Sequence, residues 1–151
     1  MRLYYTVVVI VSLLTCWLVW PTVSAFTSKE IQPIASSVST LSGILFGFVM
    51  ASISLFASAK DNKLVKNTTL TGHMPKLVNS LHLTMGMLLG VCVTFLIVLF
   101  LPDTVTFAMG VNSTQYKYST VLVTFGIFLL INSFNLFFLA WRNFKSFAEH
   151  M

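Results

Sequence analysis

Four long apolar tracts, separated by short clusters of charge, dominate the sequence. No Asp, Glu, Lys or Arg occurs within residues 3–28, 31–59, 77–102 and 118–141. Each tract has room for the ~20 apolar residues that a helix needs to cross the hydrocarbon core of a membrane. The pattern therefore predicts an all-α integral membrane protein with four transmembrane helices. We place them at about residues 3–21, 34–59, 79–101 and 118–141.

Composition supports this reading and excludes a soluble domain. Hydrophobic residues make up 56% of the 151 residues and charged residues only 9%, whereas a typical soluble domain has roughly 25% charged residues. The length suits one domain. We therefore interpret residues 1–151 as a single membrane domain.

The distribution of Lys and Arg predicts the orientation. If both termini are cytoplasmic, a cytoplasmic loop at 60–78 and a cytoplasmic tail at 142–151 share seven basic residues with the N-terminus, and the outer side has two. Such a bias is typical of cytoplasmic loops. The outer residues are Lys29 and, in an outer loop at 102–117, Lys117. Because topology alone explains the net charge of +5, direct binding of nucleic acid is not expected.

The first apolar tract resembles a secretory signal, with Arg2, an apolar core, Pro21 and small residues before Ala25. The core is longer than the roughly 7–15 residues of a signal peptide. We expect a retained signal-anchor helix. Cleavage after Ala25 is the alternative, and it would leave three spans with an outer N-terminus.

Sites for catalysis, metals or cofactors are not indicated. The sequence has no GxSxG, HExxH or P-loop motif, and Cys16 and Cys92 lie singly within predicted spans. His82 is the only strongly polar titratable side chain inside a span, and we interpret it as an interfacial hydrogen-bonding residue. Ion-coupled carriers usually contain intramembrane Asp, Glu, Lys or Arg. We therefore predict a protein that is not an enzyme and has no cofactor or metal.

Small and polar residues recur at helical spacing within the spans. Lipid tails are as apolar as Leu, so membrane helices associate through close backbone approach and interhelical hydrogen bonds. Residues four apart share a helix face. Two interpretations remain open, packing within one chain or self-association of several chains. The candidate residues are Ser39, Gly43, Gly47 and Ala51 in the second span, Gly86 and Gly90 in a GxxxG of the third, and Asn132 and Asn135 in the fourth.

Basic residues on the predicted cytoplasmic side form a second candidate surface. Anionic lipid and topology alone would favour lysines beside the membrane. A docking surface for a cytosolic protein is the sharper interpretation, because the middle of the loop, "NTTLTGHMP", is uncharged. The candidate residues are Lys60, Lys63, Lys66, Lys76, Arg142 and Lys145.

One segment carries a resemblance to a known group of proteins. Residues 42–81, "SGILFGFVMASISLFASAKDNKLVKNTTLTGHMPKLVNSL", resemble small bacterial membrane proteins of antiphage defence systems. The four-helix membrane subunit of Kiwa is the most similar in architecture, and retron-linked membrane effectors have a similar general sequence character. The resemblance implies a bacterial inner-membrane protein acting with a cytosolic partner that carries the nucleic-acid or effector activity.

These observations together predict a non-enzymatic membrane sensor or scaffold that self-associates and docks a cytosolic partner. An oligomeric pore, a small transporter or a membrane-perturbing effector is the alternative. Ser39, Thr40 and Ser42 would line its path, together with Asn132 and Asn135. A membrane anchor without activity of its own is a third interpretation.

Overall fold

The computed structural model describes residues 2–58, 73–102, 105–109 and 114–148. Four helices account for nearly all of them: α1 (Arg2–Ala25), α2 (Ser28–Ser58), α3 (His73–Phe100) and α4 (Tyr118–Ala148). Each is long and apolar enough to cross a membrane. The predicted all-α fold with four transmembrane helices is therefore confirmed.

The helices extend beyond the predicted spans, because the predicted ends followed the change from apolar to polar residues. Helix α2 begins at Ser28 rather than near residue 34, and α3 begins at His73 rather than near residue 79. Helix α1 continues past Pro21 to Ala25, and α4 includes most of the predicted tail. Backbone hydrogen bonding continues into polar sequence where nothing competes with it.

A capping interaction explains the early start of α2. The Glu30 carboxylate accepts hydrogen bonds from the Thr27 backbone N–H at 2.8 Å and from the Thr27 hydroxyl at 2.9 Å. The sequence Thr-Ser-Lys-Glu thus has the Thr-x-x-Glu spacing of a capping box. Pro33 lies inside α2.

A short β-hairpin occupies the predicted outer loop. Strands β1 (Thr106–Met109) and β2 (Thr114–Lys117) pair antiparallel, with Thr106 opposite Lys117. We call the end of the bundle that carries this strand pair the hairpin end. The opposite end, where Lys76 and Arg142 lie, is the basic end.

The main packing contacts place the helices in the order α2–α3–α4–α1. Helix α3 packs on α2 and α4, and α4 packs on α3 and α1. All four helices join in one core cluster near the hairpin end, which includes Val23, Ile31, Phe95 and Val123. A second cluster near the basic end, around Val49, Leu81 and Ala140, draws on α2, α3 and α4. Helix α1 therefore takes its main support from α4.

Apart from Thr94, the buried positions of α3 follow a regular repeat. Spacings alternate between four and three residues, the pattern of knobs-into-holes packing. Helix α4 has small buried residues seven apart, and one of them, Gly126, lies against the ring of Phe95 on α3. The α3 positions are Leu77, Leu81, Thr84, Leu88, Val91, Phe95 and Val98, and the α4 positions are Ser119, Gly126, Ser133 and Ala140.

Candidate functional site

The predicted small-residue repeat of α2 divides between two environments. Ser39 is buried, and its hydroxyl lies 3.5 Å from both the carbonyl oxygen and Sγ of Cys92 on α3. Gly43 and Gly47 are exposed, and a Cβ added at either would meet no neighbouring atom within 4 Å. Ala51 is also exposed. With ~3.6 residues per turn, each four-residue step rotates by about 40°, so the repeat turns from the α3 contact to the outer surface.

The exposed part of this repeat belongs to a continuous surface along α2, which we call the α2 small-residue face. All of its members are exposed and none is bulky. Large exposed side chains such as Ile44 (65%), Phe48 (54%) and Leu55 (71%) lie beside this face on the helix. The face consists of Ser36, Thr40, Gly43, Gly47, Ala51, Ser54 and Ser58.

Three of the four hydroxyl groups on this face donate hydrogen bonds within α2 itself. Thr40 donates to the Ser36 carbonyl at 2.9 Å, Ser54 to the Met50 carbonyl at 3.0 Å, and Ser58 to the Ser54 carbonyl at 3.0 Å. Serine and threonine commonly bond back to the preceding turn in this way. At these three positions the face can thus contact another apolar surface without burying an unpaired hydroxyl.

The predicted GxxxG of α3 also divides between two faces. A Cβ added at Gly90 would lie 3.7 Å from Leu129 Cδ1, so Gly90 faces α4. Gly86 is exposed, with open space where its Cβ would be. His82 is exposed as well, and its Nδ1 lies 3.0 Å from the Val78 carbonyl oxygen of its own helix.

Asn132 and Asn135 both lie in the contact between α4 and α1. The Asn132 amide donates to the Phe128 carbonyl at 2.8 Å and to the Ser12 hydroxyl at 3.3 Å. The Asn135 amide donates to the Tyr4 hydroxyl at 3.0 Å. One further contact, from Cys16 Sγ to the Thr124 carbonyl at 3.6 Å, makes this a polar helix interface.

The basic candidates are only partly described. Lys76 and Arg142 are exposed at the basic end. Lys145 belongs to α4, and the predicted docking residues Lys60, Lys63 and Lys66 lie outside the described residues. Within the part of the chain that the structure describes, no group of three His, Cys, Asp or Glu side chains could hold a metal ion.

An aromatic cluster beneath the hairpin was not predicted from the sequence. Phe107 lies between Tyr116 and Tyr118, with ring centroids 6.0 Å and 4.9 Å away, and Tyr116 also lies 6.0 Å from Trp20 of α1. The Lys117 ammonium donates to the Phe26 carbonyl at 3.4 Å. The hairpin is thus fixed over the ends of α1 and α2. The alternation of Phe107, Tyr116 and Tyr118 with polar residues was the available signal.

Comparison with known proteins adds no relative to this description. No family model matches the chain, and neither the curated proteins nor the solved structures contain a match to it.

Proposed function

We propose that this chain is a non-enzymatic subunit of the bacterial inner membrane that self-associates through the α2 small-residue face. The open space at Gly43 and Gly47 carries the proposal. Small residues exposed to lipid gain nothing from lipid, whereas a second helix can approach them closely. The satisfied hydroxyls of Thr40 and Ser54 remove the polar cost of such an approach.

A cytosolic partner completes the proposal. Both ends of the chain would lie in the cytoplasm. The partner would dock on the loop that contains Lys60, Lys63 and Lys66 and on the tail that contains Lys145. The resemblance of residues 42–81 to antiphage membrane proteins supports a role in defence. In that role the chain would sense a disturbance of the envelope and pass it to the partner, and assembly of several copies would place several partners together.

Replacement of Gly43 and Gly47 by Leu tests self-association. Because both glycines are exposed and no atom lies within 4 Å of either added Cβ, we expect the double variant to keep the monomer fold and to lose only a contact with another copy. We expect the wild type to migrate as an oligomer in nanodiscs or mild detergent and the variant as a monomer, with masses measured by light scattering or native mass spectrometry.

Ser37→Leu is the matched control. It adds similar bulk at an exposed position of the same helix, outside the α2 small-residue face, and should leave the oligomer intact. A monomeric wild type would refute self-association, and an oligomer that survives the double glycine replacement would refute this face.

The hydroxyls of Ser36, Thr40 and Ser54 favour one second candidate function, a pore. If several copies met with these residues around a common axis, the hydroxyls would be the most polar groups along it. Ion flux through purified protein in liposomes, abolished by Thr40→Val, would support a pore. No flux across a range of membrane potentials would count against it.

A further inference from the structure

A crevice opens between α2, α3 and α4 near the basic end. Its volume is about 90 Å³. Helix α1 does not close it, because α1 packs on α4 and contributes nothing to the core cluster at this end. The walls are almost entirely apolar, with Ser52 as the one polar side chain. The principal lining residues are Phe48, Ser52, Leu77, Leu81, Phe137 and Trp141.

The crevice is deep on one side and open on the other. Leu77 and Leu81 are 5% and 9% exposed, so they form inner walls. Phe48 and Trp141 are each 54% exposed and form the lip. An apolar crevice that opens sideways from a transmembrane bundle faces lipid, and Trp141 at its mouth is a residue type enriched at the membrane–water interface.

Basic residues flank the mouth of the crevice. Lys76 directly precedes the lining residue Leu77, and Arg142 directly follows the lining residue Trp141. Both are exposed. The apolar crevice thus adjoins two exposed basic residues.

We propose that this crevice binds an anionic phospholipid. A segment of one acyl chain enters between α2 and α4, and the phosphate lies at the surface beside Lys76 and Arg142. An acyl chain matches the apolar walls, and a phosphate offers Arg paired acceptors for its planar guanidinium. Anionic lipids are also the ligands that basic residues beside a membrane attract. The site lies away from the α2 small-residue face and does not depend on self-association.

Retention of lipid by the purified full-length chain tests the charge component. Detergent-solubilised protein would be mixed with phosphatidylglycerol or phosphatidylcholine of the same acyl chains, and bound lipid counted by native mass spectrometry. We expect phosphatidylglycerol to be retained about thirtyfold better, because each of the two basic contacts contributes about 1 kcal/mol. Lys76→Gln with Arg142→Gln should abolish this preference, and Lys29→Gln at the hairpin end should keep it.

A second pair of variants tests the acyl component. Ser52→Leu fills the crevice and should lower retention of both lipids, whereas Ser37→Leu, elsewhere on α2, should not. Glycerol phosphate, a headgroup without chains, should not displace bound lipid. Equal retention of the two lipids by the wild type, unchanged retention in Ser52→Leu, or displacement by glycerol phosphate would each overturn the proposal. Because Lys76 and Arg142 are exposed, the charge variant decides the question even if Ser52→Leu lowers stability.

Discussion

Gly126→Ala should destabilise the bundle by about 1–3 kcal/mol relative to Gly86→Ala, the typical cost of overpacking a filled interior. The added Cβ at Gly126 would lie 2.6 Å from Cε2 and 2.9 Å from Cζ of Phe95. The Phe95 ring cannot move aside easily, because it is 1% exposed and belongs to the core cluster that joins all four helices. Helix α3 or α4 must therefore shift.

Gly86→Ala is the matched control for this prediction. Both replacements give the same intrinsic gain in helix preference, up to about 1 kcal/mol, and each lies within a transmembrane helix. A Cβ at Gly86 meets no neighbouring atom within 4 Å. The difference between the two variants thus isolates the contact with Phe95, and thermal unfolding in a mild detergent would measure it.

Shortening the opposing side chain tests the assigned contact directly. Phe95→Leu should lower stability by itself, because it leaves a cavity, but Gly126→Ala should cost less in that background than in the wild type. A double-mutant cycle would give the coupling free energy between the two positions. Equal stability of Gly126→Ala and Gly86→Ala, or a coupling of zero, would contradict the packing described here.

The four spans were predictable because hydropathy reports them directly. A tract such as 77–102, free of the four charged residue types, has few alternatives to a transmembrane helix. The helix ends were less accessible. The Thr27–Glu30 interaction was present in the sequence as Thr-x-x-Glu, but the predicted start of α2 followed the change in polarity.

It was harder to predict which residues share a helix face, because the answer depends on the residue spacing that is assumed. A four-residue spacing placed Ser39 with Gly43 and Gly47, yet Ser39 contacts α3 and the two glycines are exposed. The α3–α4 contact follows a 4–3 alternation, and residues at that spacing stay on the side of the helix that faces one partner. Residues at a strict four-residue spacing turn gradually away from that partner. A seven-residue spacing would have grouped Gly126 with Ser133.

The sequence did not indicate which helix the polar residues of α4 contact. Asn132 and Asn135 were recognised as residues that need an interhelical partner, but four helices offered several. Their partners Ser12 and Tyr4 on α1 lie about 120 residues or more away in the chain, and only the packing order α2–α3–α4–α1 brings them together. The packing of the hairpin could not be predicted for the same reason, because it involves a contact between Tyr116 and Trp20 of α1.

Replacing Asn132 and Asn135 with Leu should loosen α1 from the bundle. Helix α1 is the least buried span, with 11% of its apolar window buried against 33% for α3. Its contact with α4 includes the Asn132–Ser12 and Asn135–Tyr4 hydrogen bonds, each worth about 0.6–2 kcal/mol within a membrane. Leu keeps the side-chain volume similar, so the main loss is the two interhelical hydrogen bonds.

The buried thiol of Cys16 provides a built-in reporter of α1 detachment. Cys16 lies against Thr124 of α4, and Cys92 of α3 is half-buried beside Ser39 and serves as an internal reference. Labelling by a membrane-permeant maleimide, read by peptide mass spectrometry, should rise several-fold at Cys16 relative to Cys92 in the double variant. Phe134→Leu, an exposed change on the same turn of α4, should leave the ratio unchanged.

A second hydrogen bond of Ser12 makes the labelling measurement specific for the interhelical hydrogen bonds. Its hydroxyl also donates to the Val8 carbonyl at 2.8 Å, so removal of the Asn132 amide leaves the Ser12 donor satisfied and adds no penalty for a buried unpaired donor. The labelling change therefore reports the interhelical bonds themselves. An unchanged Cys16 to Cys92 ratio in the double variant would mean that apolar packing of α1 on α4 suffices without the asparagines.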